Sequence, residues 1–93
     1  MPGIEGLTTR LINSHWPECE RIVQSILEFG CDQSKPALLR GLEARRHHVR
    51  TAAIKGLGKF QDDPTVLAAI RQCLDDPAYE TRVTAKKLLE SIE

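Results

Sequence analysis

The stretch Ala69–Ile92, AIRQCLDDPAYETRVTAKKLLESI, decides how this 93-residue chain folds. Laid 32 positions back it falls on Ala37–Phe60, ALLRGLEARRHHVRTAAIKGLGKF, so that Ala37 meets Ala69, Leu38 meets Ile70, Leu42 meets Leu74 and Arg50 meets Arg82. Further along, Ala53 meets Ala85, Leu57 meets Leu89 and Phe60 meets Ile92. Any two amphipathic helices align some apolar positions. They do not also place an arginine, a small alanine and a leucine in one order at identical offsets. A weaker copy lies 31 positions earlier, with Ile22, Val23, Ile26 and Phe29 under Ala53, Ile54, Leu57 and Phe60. The chain therefore reads as three helix pairs, about 4–29, 34–60 and 63–92, in a single domain over 1–93. A two-helix unit of this length cannot bury its apolar side alone, so the units stack, and about three are needed for stability.

Apolar residues recur at three and four throughout, the spacing of one helical face, and strand-like alternation is absent. The first helix is expected over about Ile4–Ile12. The second starts at Pro17, turns Ile22, Val23, Ile26 and Phe29 inward, and is capped by Gly30. Ser34 is the expected cap of a third, with Pro36 in its first turn. A fourth runs from about His48 to Phe60. Asp62 or Asp63 caps a fifth that Pro64 starts and that carries Val66, Ile70, Cys73 and Leu74 inward, and the sixth runs nearly to Glu93. Trp16, just ahead of the second helix, reads as a staple onto it. Ile54 lies on a helix flank where a following pair is expected to cover it, and its counterpart is Lys86, so the last pair is expected to be a terminal one.

Leu74-Asp75-Asp76-Pro77 followed by Arg82, Ala85 and Leu89 resembles a HEAT repeat, in particular the short form of the phycobilisome-lyase type. The likeness is good over about residues 36–93 and rests on helix count and spacing before that. It implies an all-α, right-handed α-α superhelix of three antiparallel helix pairs. It also implies a ladder in which an aspartate between paired helices meets an arginine of a second helix. Asp76 and Arg82 stand in those places in the last pair and Arg50 in the middle one. Ala44 occupies the middle pair's aspartate position, which leaves Asp76 to receive Arg50 from the neighbouring pair.

Thirteen Lys and Arg balance 13 Asp and Glu, which disfavours a uniformly basic binder of nucleic acid or membrane. The balance is uneven along the chain: residues 1–34 carry two bases and five acids, 35–59 seven bases and one acid, and 60–93 four bases and seven acids. Arg40, Arg45, Arg46, His47, His48 and Arg50 crowd one helix-turn-helix, with Lys55 and Lys59 beyond them on one face. No apolar run reaches the roughly 20 residues that span a bilayer, and the start lacks the pattern of a signal peptide. Three cysteines without Cys-x-x-Cys spacing suggest free thiols in a cytoplasmic protein. His47 and His48 diverge by about 100 degrees on a helix and have no ligand at i, i+4, so no metal site is expected. There is no phosphate-cradling glycine loop and no nucleophile paired with a base, so neither an enzyme nor a cofactor is expected.

The reading that fits these features is a protein-interaction or scaffold module whose second helices line one face. Arg46, His47, Thr51, Lys55, Val83 and Lys87 are its expected contacts, with Thr51 matching Val83 and Lys55 matching Lys87 across the stack. The expected partner is another protein, for which the basic ridge would suit an acidic surface. The alternatives are phosphate-backbone binding through the central basic ridge, since arginine engages phosphate in bidentate fashion, and an accessory subunit or piece of a larger repeat protein.

Overall fold

The computed structural model describes residues 3–92. Six α-helices follow one another: α1 Ile4–Ile12, α2 Glu18–Leu27, α3 Cys31–Gly41, α4 His47–Leu57, α5 Pro64–Gln72 and α6 Tyr79–Ile92. Short 3-10 turns, Gly58–Phe60 and Cys73–Asp75, extend α4 and α5. Among the described residues there is no strand. The first helices α1, α3 and α5 pack in sequence as one layer, and α2, α4 and α6 pack as the other. The result is an all-α solenoid with principal extents of 38 × 26 × 16 Å. Glu93, where the sixth helix was expected to end, lies outside the described residues.

Between the layers runs a continuous core of Leu7, Leu11, Ile22, Val23, Ile26, Leu38, Val49, Ile54, Leu57, Val66, Ile70, Ala85 and Leu89. Ile54 is fully buried while Lys86, one repeat on, is exposed. The close approach of α4 to its neighbours depends on Gly56. A Cβ there would stand 2.7 Å from Val23 Cγ1 and 3.1 Å from Leu38 Cδ1. Gly30, at φ 89°, makes the left-handed turn between α2 and α3, which only glycine makes without strain.

Three local expectations are corrected. The third helix begins at Cys31, not behind Ser34, because the turn at Gly30 already releases the chain into helix. Ser34 is buried inside it, donating through Oγ to the Gly30 carbonyl at 2.7 Å, and Pro36 falls in the second turn. Proline removes the amide that would bond the Asp32 carbonyl four residues back. Asp32 and Pro36 are both exposed, so the missing bond falls on the solvent side of the helix. Leu74 is 39% exposed, because it sits in a 3-10 turn whose tighter winding rotates it off the α5 core stripe. Phe29 lies two residues beyond the end of α2, off its core-facing stripe, and is 36% exposed. The fifth helix is capped by Asp63, whose Oδ1 accepts from the Thr65 amide at 2.8 Å and the Val66 amide at 3.4 Å.

Candidate functional site

The second helices create two features at one end of the molecule: a clasp that joins pairs and a groove that opens to solvent. In the clasp, Arg50 of α4 meets Asp76 at the start of the next pair's second helix. Its Nε donates to Oδ2 at 2.7 Å and its Nη2 to Oδ1 at 2.9 Å, a bidentate contact. The remaining nitrogen, Nη1, donates to the carbonyls of Ala44 and Arg45, both at 2.8 Å. The Ala78 amide supplies a third hydrogen bond to the carboxylate at 2.8 Å. Side-chain exposure is 13% for Arg50 and 9% for Asp76. Burial alone would raise the Asp76 carboxyl, but the Arg50 and Ala78 hydrogen bonds and the nearby Arg82 charge hold it below its ordinary value.

Arg82 repeats half of this arrangement. Its Nη1 donates to the Asp76 carbonyl at 2.7 Å, as Arg50 does to Ala44 one repeat earlier. Its guanidinium lies 5.8 Å from the Tyr79 ring centre. At the other seam, between the first and second pairs, both halves of the clasp are replaced together. Ala44 stands where the aspartate would be, and the residue 31 positions before Arg50 is Cys19. Each is buried and uncharged, so no ion is stranded. Cys19 instead directs its thiol to the His48 carbonyl at 3.6 Å, and burial pushes that thiol's pKa up.

The groove, about 110 Å³, is lined by Trp16 and Glu20 from the first pair, His48, Thr51, Ala52 and Lys55 from α4, and Glu80 and Thr84 from α6. Trp16 is 61% exposed, with its ring 6.3 Å from that of His48. This corrects the reading of Trp16 as a staple. Its side chain leans toward the neighbouring pair and offers most of its surface to solvent. Of the six expected contact residues, Arg46, Lys55 and Lys87 are exposed, while His47 and Val83 are half-buried.

Thr51 is a correction: it is 4% exposed. It faces the seam between α4 and α6, where its hydroxyl meets that of Thr81 at 3.0 Å. Thr81 in turn reaches the His47 carbonyl at 3.4 Å. Polarity suggested solvent, but two facing threonines satisfy one another in a dry seam. Thr51 therefore forms part of the groove's floor and not its rim. The groove residues that sequence reasoning did not assign to the site are Trp16, read there as a staple, and Glu20, Glu80 and Thr84. Their signal was present in the repeat, since a shift of 32 carries His48 onto Glu80 and Ala52 onto Thr84.

The basic block is thinner than its sequence suggests. Arg50 is consumed by Asp76, Lys35 by Asp63 at 2.9 Å, and Arg46 donates to the Asn13 carbonyl at 3.2 Å. Glu20 and Glu80 set two negative charges into the same groove as Lys55.

His47 and His48 do not diverge as expected. Their ring centres are 4.1 Å apart. They are the first two residues of α4, so no preceding turn restricts their rotamers. A carboxylate absent from their own helix arrives from the next repeat: Glu80 Oε1 stands 3.4 Å from His48 Nδ1.

HEAT repeats match residues 4–90, nearly the whole described chain. The chain is a member of the HEAT-repeat family. The match is to HEAT repeats as a class and does not single out the phycobilisome-lyase type. No curated protein and no solved structure matches the chain significantly. HEAT repeats generally serve protein–protein interaction or scaffolding and are generally not enzymes. In this HEAT-repeat chain no described helix is long and apolar enough to cross a membrane.

Proposed function

We propose that this HEAT-repeat chain is a protein-binding module that receives its partner along the face of α2, α4 and α6. The observation that carries the reading is Trp16, a large aromatic left mostly exposed at the mouth of a groove to which all three pairs contribute. Exposed tryptophan beside a concave, mixed-charge surface is the composition of an interface anchor. Lys55 and Lys87 continue the face along the stack, with Arg46, His47 and Val83 at its borders. They favour a partner segment with acidic residues beside an apolar one that covers Trp16. Thr51 supports the floor from beneath. We place the protein in the cytoplasm, on its three unpaired cysteines.

A photo-crosslinking residue in place of Trp16, with a second chain labelled at Arg71 as control, identifies what docks on this face in the source cell. Trp16→Ala and the double reversal Lys55→Glu, Lys87→Glu should each weaken binding of the captured protein at least tenfold in calorimetry. Unchanged affinity in both removes the face from consideration. The nucleic-acid reading is less favoured because the clasp and the groove carboxylates neutralise much of the basic block. It is tested by anisotropy with duplex and single-stranded probes at two salt concentrations, where phosphate contacts must weaken steeply with salt.

A further inference from the structure

We propose that His47, His48 and Glu80 form a solvent-open binding site for a divalent transition-metal ion of zinc's class. One ligand atom from each of the three lies within 4.8 Å of the others. A tetrahedral ion with bonds of about 2.0–2.1 Å needs donors roughly 3.3 Å apart. His48 Nδ1 and Glu80 Oε1, at 3.4 Å, already sit at that separation. His47 has only to turn its ring inward, and its place at the first position of α4 leaves that rotation free.

The backbone beneath the two imidazoles is fixed from both sides. Thr81 of α6 holds the His47 carbonyl at 3.4 Å, and Cys19 of α2 holds that of His48 at 3.6 Å. The attachment points of both imidazoles are thus held by the neighbouring pairs, the outer support that a ligand site on a rigid element needs. Side-chain exposure of 40% for His48 and 54% for Glu80 leaves an entry path. Two imidazoles and a carboxylate are a donor set that zinc accepts with further positions open to water or to a ligand from another molecule. The Glu80 charge offsets the repulsion a cation meets at the start of α4. Because Glu80 belongs to the last pair and the histidines to the middle one, a bound ion would cross-link the two repeats. The inference stands apart from the protein-binding proposal, since the ion needs no partner to bind.

The test uses the full chain without an affinity tag and with Cys31→Ser, which removes the exposed thiol as a competing ligand. Zinc titrated in calorimetry should bind at one ion per chain. His47→Ala, His48→Ala and Glu80→Gln should each weaken it at least tenfold, and His15→Ala should leave it unchanged. Cobalt(II) gives a second readout, because Trp16 lies beside His48 and its fluorescence should fall in the parent and not in the His47→Ala, His48→Ala double variant. Circular dichroism confirms that each variant is folded, and His48→Gln replaces His48→Ala if the latter is not. Absence of saturable binding at zinc concentrations up to about 100 µM overturns the proposal. So does binding that survives loss of both histidines.

Discussion

Replacing Asp76 with asparagine tests the joint between repeats. The variant keeps the side chain's volume and the oxygen that accepts from the Ala78 amide. It removes the charge and turns an amide donor toward the Arg50 guanidinium, itself a donor. One charge-assisted hydrogen bond is lost, worth about 1.5–3 kcal/mol. The residual arginine charge is only partly stranded, because the Ala44 and Arg45 carbonyls still hold Nη1. A total of about 2–3 kcal/mol is expected, below the 3–5 kcal/mol typical of a fully buried pair broken on one side. For a domain of this size that lowers the melting temperature by roughly 10–20 °C.

Chemical denaturation of the parent, Asp76→Asn, Arg50→Ala and the double variant closes a thermodynamic cycle, and a coupling of at least about 1 kcal/mol is expected. The pH dependence follows from the lowered Asp76 pKa. Its contribution is fully present above the unfolded-state value of about 3.9 and is lost as the pH falls through the lower folded value. The parent should therefore lose its advantage over Asp76→Asn on acidification below about pH 4. A coupling under about 0.3 kcal/mol, within the error of additivity, would refute the assignment of Arg50 and Asp76 as the joint.

Other substitutions probe separate parts of the molecule. Gly56→Ala gains up to about 1 kcal/mol of helix propensity but forces a Cβ against the stiff Val23 side chain, so a net loss of about 1–2 kcal/mol is expected in urea unfolding. Thr51→Val should cost about 0.5–1 kcal/mol in the same unfolding assay, since the Thr81 hydroxyl loses its Thr51 partner but keeps the bond to the His47 carbonyl, and Thr51→Val with Thr81→Val, which removes that bond as well, should cost more. Ile54→Ala, at a fully buried site in the core, should cost about 2–4 kcal/mol, measured by the same unfolding assay.

Most of the architecture was legible because the repeat carries it: aligned leucines and alanines report the core, and Arg50 and Asp76 report the joint. What escaped was whatever depends on the neighbouring pair. Thr51 resembles a surface residue until Thr81 is seen opposite it. Glu80 is 32 positions from His48 in the chain and one ion-pair distance from it in space. No periodicity within one helix reveals either contact. Trp16 was misjudged because a residue ahead of a helix packs back onto that helix or leans across to the next, and only the stacking of pairs decides which. Pro36 was misjudged because Gly30, not Ser34, sets where the helix begins.

The Arg50–Asp76 clasp also gives the stack a direction. Donor and acceptor come from different pairs, so the contact has two unlike halves and cannot be made by two copies of the same edge. Reversing a pair end to end would set arginine against arginine. Any hairpin grafted into this seam would have to bring an acceptor on one side and a donor on the other, whereas the uncharged seam at Ala44 and Cys19 asks only for matching shape. The two junctions thus impose unequal rules on how the array can be lengthened or recombined.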